Sequence, residues 1–241
     1  MSIGLMLEMM MPAILGVIGA LIGQIGLVCY QVLPCPENEK EKPVFRKKNF
    51  NNEYNLWYAL PTAILFPLLY LKYGISLEFI LYSIIGSILV PILAIDFKHC
   101  IIPDKLNLFG FVTGVIYVIA LLILGNTALA INHILGGLIG GGIFLLLALI
   151  SLLVYKQEGM GFGDIKLMTV LGLAFGIKGI LVLTLIAFVI GAIVCITLLV
   201  SKKKTMKDYI PFGPYICLAA YVLMFVPAGF FVDWYFNLLI K

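Results

Sequence analysis

Residues 134–154, ILGGLIGGGIFLLLALISLLV, form an unbroken run without one charged side chain. About 20 apolar residues suffice for a helix to cross the hydrocarbon core of a bilayer. A chain that repeats such runs cannot hide them in a water-facing fold. Of its 241 residues 63% are hydrophobic and 12% charged, against about half and a quarter in soluble domains. The chain is therefore an integral membrane protein, and its predicted fold class is all-α, a polytopic bundle of membrane helices.

Apolar runs fall near 9–33, 56–72, 77–95, 106–124, 130–154, 165–177, 179–200 and 213–237, which predicts about eight transmembrane helices. The sixth is the shortest. It runs from a GFGD segment to the Gly176-Ile177-Lys178-Gly179 turn, and suits a tilted or half-buried helix. The first run begins near Met9 with neither a charged n-region nor a small-residue cleavage site, so it reads as a retained helix rather than a signal peptide. The domain organisation predicted is a first membrane helix over 1–33, a short basic loop over 34–55 and a membrane-embedded bundle over 56–241.

Lys and Arg set the orientation. The 34–55 loop holds Lys40, Lys42, Arg46, Lys47 and Lys48; the 96–105 loop holds Lys98 and Lys105. Lys156 and Lys166 flank the next such connection, and Lys202, Lys203, Lys204 and Lys207 the last. With eight spans these loops share one face and leave only Lys72, Lys178 and Lys241 on the other. The loops are then cytoplasmic and both termini outside, in a cell (inner or plasma) membrane. The same parcelling of a net charge of +4 into short loops leaves no basic stripe with interleaved aromatics, so no nucleic acid partner is expected.

The five cysteines, Cys29, Cys35, Cys100, Cys195 and Cys217, include no C-x-x-C pair and read as buried apolar thiols. The 34–55 segment is too short for a core of its own, so any chemistry lies at the membrane.

Three carboxylates stand at the predicted cytoplasmic edge: Asp96 in ILAIDFKHC, Asp104 in CIIPDKLNL and Asp164 at the end of GMGFGD. Two carboxylates held together in a low-dielectric site cannot both ionise. The ionised one can activate a water against a peptide carbonyl, while the protonated one polarises that carbonyl and later protonates the leaving amine. Each Asp also has a plainer reading as a helix end meeting water. Asp104 suits it well, since Pro103-Asp104 before an apolar run looks like a helix entry. The only histidines, His99 and His133, fall on opposite faces, so neither a Ser-His-Asp set nor a metal set competes.

Gly159, Gly161 and Gly163 alternate before Asp164, which favours extended backbone and close approach over helix. Such backbone at membrane depth is tolerated only where something lines or fills the gap, and an extended substrate segment would do so. Gly136, Gly137, Gly140, Gly141 and Gly142 read instead as a helix packing stripe. PFGPY, residues 211–215, opens the last span on the same side as the three aspartates and is a candidate wall of the same site.

Together IDFKHCIIPDKL (95–106), EGMGFGDIKLM (158–168) and IPFGPYI (210–216) resemble, in order and spacing, the segments of the type IV prepilin leader peptidases, membrane aspartic proteases of the GxGD class. The resemblance implies a catalytic dyad of Asp96 and Asp164, with Asp104, Gly161, Phe162, Gly163, Lys166, Pro211, Phe212, Gly213 and Pro214 as supporting or substrate-binding positions. It implies cleavage of a short basic leader from type IV prepilin or pseudopilin precursors on the cytoplasmic side. Such precursors, besides membrane lipid, are then the expected partners.

The chain departs from the family in one region. GQIGLVCYQVLP (23–34) keeps the Gly and Leu-Pro of the usual GSFLNVVIYRLP but loses its Asn and Arg, and the loop after it has one cysteine, Cys35, in place of two C-x-x-C pairs. The zinc-bound subdomain is therefore expected to be absent, and the N-methyltransferase activity of many members with it. No metal or other cofactor is expected; S-adenosylmethionine would be needed only for a retained methyl transfer. Two other classes remain open: a proton- or cation-coupled transporter, which wants carboxylates along a path across the bilayer, and a non-catalytic assembly component, which has no need of both aspartates.

Overall fold

The computed structural model describes residues 3–32, 52–156, 160–202 and 210–239. Among the described residues the secondary structure is helical: α1 (Ile3–Val32), α2 (Asn52–Tyr73), α3 (Leu77–His99), α4 (Asp104–Ile123), α5 (Thr127–Tyr155), α6 (Phe162–Val200), α7 (Gly213–Phe225) and α8 (Ala228–Leu239). The chain divides into two compact units, Met1–Ile95 and Asp96–Lys241. Most of the basic 34–55 loop, with Cys35, lies outside the described residues, as do Gly159 and most of the 201–210 loop.

In the first unit α1 and α2 pack closely. Gly19 of α1 lies against the Thr62 carbonyl of α2, where a Cβ would collide. This is the small-residue contact by which membrane helices approach one another. α3 starts on a cap, the Phe79 N–H donating to Ser76 Oγ at 3.1 Å.

The second unit carries the motifs. α3 ends where Cys100 takes a left-handed φ of 56° and its N–H donates to the Asp96 carbonyl at 2.8 Å, a helix stop of the αL kind. Pro103 then leads into α4, with Asp104 as the acid of its first turn. The glycine stripe of α5 is indeed a packing stripe: Gly136 lies backbone to backbone against Gly172, and Gly137 faces the Leu173 side chain.

Four helices among the described residues are long and apolar enough to cross a membrane: Leu77–His99, Asp104–Ile123, Thr127–Val154 and Phe162–Val200. A bent pair, Gly213–Phe225 with Ala228–Asn237, makes a fifth if counted as one span. At 39 residues, α6 would be on the order of 58 Å long if straight, far more than a bilayer needs.

It is not straight. Gly176 interrupts it with φ 67° and ψ −175°. The Met168 carbonyl oxygen and the Ile180 side chain both stand within 3 Å of where a Cβ on Gly140 would lie, at 2.5 and 2.8 Å. In a straight helix those residues would be about 18 Å apart. α6 therefore doubles back at Gly176, and its two arms, 162–175 and 177–200, both run along α5. They coincide with the sixth and seventh apolar runs, with the reversal at the predicted Gly176–Gly179 turn. The first arm, about 21 Å, is as short as the sequence suggested.

The reversal leaves backbone groups to satisfy. In an unbroken helix the Ile177 N–H would donate to the Leu173 carbonyl. Two consecutive α5 side chains meet these groups instead: Ile177 N–H donates to Asn132 Oδ1 at 3.4 Å, and His133 Nδ1 lies 2.8 Å from the Leu173 oxygen. His133, buried with the Tyr117 ring edge-on at 5.2 Å, is thus a helix-end partner inside the bundle. One expectation changes. The eighth span, predicted as one helix over 213–237, bends by 89° between Phe225 and Ala228. Pro227 stands at the bend, where it lacks the N–H to carry the helix on and biases Val226 to an extended conformation, φ −112° and ψ 116°.

Candidate active site

The end of α3, the start of α6 and the start of α7 meet in the second unit. Asp96 sits in the last turn of α3 and Asp164 in the first turn of α6; they are 4% and 5% exposed. Both line one cavity of about 210 Å³, with Cys100, Ile101, Ile102, Gly161, Phe162 and Gly163, and they are close enough for their charges to interact. Asp96 Oδ2 and Asp164 Oδ1 have no hydrogen-bond partner among the described residues. Buried carboxylate oxygens without partners are costly, and are tolerated where a ligand or water supplies the missing bond.

Backbone amides face both acids: that of Gly161 stands against Asp164 and that of Gly213 against Asp96. Each belongs to a helix N-terminus, of α6 and α7 respectively, where free N–H groups and the helix dipole favour negative charge. Asp96 needs this more, because it also lies at the unfavourable C-terminal end of α3.

The glycines fit by contact. A Cβ on Gly213 would run into Asp96 Oδ2, and one on Gly163 would stand 2.9 Å from Ile102 Cβ. Gly161 is extended, at φ −67° and ψ 137°, and the helix begins at Phe162. The extended stretch expected at Gly159, Gly161 and Gly163 therefore ends at Gly161, because Gly163 and Asp164 already belong to the first helical turn.

The other predicted positions part company. Asp104 and Lys166 form a surface ion pair of 2.6 Å and line a different hollow, with Lys166 5.0 Å above the Phe162 ring. Pro214 is buried beside Gly213 at the head of α7. Pro211 is half-buried. Phe212 turns away into an aromatic cluster, its centroid 5.1 Å from Phe188, 5.9 Å from Phe144 and 6.0 Å from Tyr215, so it anchors α7 rather than lining the acid cavity.

Four residues escaped sequence reasoning. Cys100 and Ile102 line the acid cavity. Cys217, wholly buried, lies one turn beyond Gly213, near enough to both aspartates to feel their charge. Asn107 is buried and donates from Nδ2 to the Gly163 carbonyl at 3.2 Å. Only Asn107 carried a signal, as a polar side chain inside an apolar helix. Among the described residues no three His, Cys, Asp or Glu side chains gather into a metal site.

Fold and site together define a class: an all-helical, multi-pass membrane protein with two buried aspartates on one cavity. Residues 83–196 match the model of the type IV leader peptidase family, so this part of the chain is similar to that family. Several relatives are named prepilin leader peptidase/N-methyltransferase. That of Xanthomonas campestris pv. campestris is 32% identical over 146 residues, covering 59% of this chain and 48% of the relative. That of Pseudomonas putida is 31% identical over 152 residues, 63% and 51%; that of Bacillus subtilis is 26% identical over 180 residues, 74% and 68%. The chain spans about half the length of most of the curated relatives it matches. No solved structure matches it.

Proposed function

We propose that this protein is an intramembrane aspartic endopeptidase that removes the short basic leader from type IV prepilin or pseudopilin precursors, with Asp96 and Asp164 as its dyad. The observation that carries the reading is the pair of buried, unpartnered carboxylate oxygens on one cavity, within a stretch similar to relatives named prepilin leader peptidase/N-methyltransferase. The two acids hold one proton between them. The ionised carboxylate takes a proton from a water as its oxygen bonds to the scissile carbonyl carbon, and the protonated one hydrogen-bonds the carbonyl oxygen. When the C–N bond breaks, the proton passes to the leaving amine and the pair returns to its starting state.

The positive-inside bias assigns the acid cavity to the cytoplasmic edge and both termini to the outside. The relatives' names include an N-methyltransferase; with one cysteine in the 34–55 segment, this chain is read as a peptidase without that second activity. A transporter reading finds less support, since Asp96 and Asp164 gather at one cavity rather than along a path.

The test is cleavage of a prepilin precursor by purified protein beside Asp96→Asn, Asp164→Asn and Asp104→Asn, each shown to be folded. Loss in the first two and retention in the third is expected. Normal cleavage by either dyad variant would overturn the two-carboxylate mechanism.

A further inference from the structure

Two more hollows open along the second unit, and they join. One, of about 450 Å³, has Asn107, Leu108, Phe111 and Thr169 among its walls. The next, of about 330 Å³, is lined by Val115, Ile119 and Leu138 and shares Phe111 and Thr169 with the first. They form one groove between α4 and α6 that reaches α5. From Asp104 to Ile119 it follows α4 for roughly 22 Å, most of the ~30 Å hydrocarbon thickness. Leu108, Phe111, Ile119 and Leu138 are exposed, so it opens sideways to the bilayer.

Asn107 ties the groove to the acid cavity. Its Nδ2 holds the carbonyl of Gly163, a residue of the acid cavity, while the side chain stands in the groove wall. It is 3% exposed, and its Oδ1 has no partner among the described residues. An acceptor left empty at this depth marks a place where a donor is expected. The first turn of any helix presents backbone N–H groups without intrahelical partners. An apolar helix lying in the groove with its N-terminus at the membrane edge would bring those donors to Asn107.

We infer that this groove seats the apolar helix of the peptide substrate, its first turn at Asn107 and the bond to be cut just beyond, over Gly163. The inference rests on the peptidase reading and adds the surface that holds the substrate. A lipid acyl chain could line the same walls, but it does not continue as a peptide into the acid cavity.

The test places a photo-cross-linking residue at Val115, at Leu138 or at Ile116, in the Asp164→Asn protein in vesicles with a prepilin precursor. Ile116 is exposed on the same helix but outside the groove. Labelling of the precursor from 115 and 138 and not from 116 is expected. Equal labelling from 116, or lipid adducts alone at 115 and 138, overturns the groove. A precursor that the unsubstituted protein cuts without labelling at 115 and 138 refutes the groove alone. One that it fails to cut refutes the peptidase reading and the groove with it. Val115→Trp, which fills the groove, is expected to raise KM for the precursor about tenfold; an unchanged KM counts against the seat.

Discussion

Replacing Gly213 with Ala tests the site most sharply. The added methyl would collide with Asp96 Oδ2, stand 3.0 Å from Asp96 Cγ and 3.1 Å from Ile102 Cδ1. Neither neighbour moves freely: Asp96 is buried at the end of α3, and Ile102 is held against Gly163. Relief requires the carboxylate to turn out of place or α7 to withdraw by several tenths of an ångström. A displacement of about 1 Å at reacting groups costs on the order of 10²-fold in rate, whereas overpacking costs about 1–3 kcal/mol in stability. Gly213→Ala should thus lose roughly 10²-fold in kcat/KM for precursor cleavage yet still fold. Gly142→Ala, whose new methyl meets nothing within 4 Å, should keep both its cleavage rate and its stability. The assay is steady-state cleavage beside a thermal melt of both variants in detergent. A Gly213→Ala protein as active as the unsubstituted one would show that Asp96 is not held where the chemistry needs it.

The helix reversal gives a second prediction. His133→Leu leaves the Leu173 carbonyl without its side-chain partner and should lower stability by about 1–2 kcal/mol, read as a fall in melting temperature, with His133→Gln recovering part of it. Lys166→Met breaks an ion pair of exposed side chains, which are worth roughly 0–1 kcal/mol, and should change the cleavage rate less than about fivefold. A shared proton predicts a bell-shaped pH–rate profile: activity falls at low pH as the second carboxylate gains a proton, and at high pH as the pair loses its last one. A profile flat from pH 4 to 9 would count against the shared proton.

Much of this protein was legible in the order of its residues. Hydropathy alone dictates membrane helices, because a bilayer core offers backbone groups no partner outside their own helix. That is why the apolar runs foretold the elements from α1 to α6, including the reversal at Gly176. The resemblance of three segments to a family singled out Asp96 and Asp164, and the structure brings the two to one cavity. Tertiary structure decided the rest. Whether 213–237 is one span or a bent pair depended on Pro227 acting within a particular packing. That Phe212 leaves the site while the Gly213 backbone lies against Asp96 depends on how the head of α7 is turned. Asn107, Cys100 and Cys217 became site residues only when helices distant in sequence met. Cysteines are cheap anywhere along an apolar helix, and the polar Asn107, though costly there, does not reveal by its type alone what it touches.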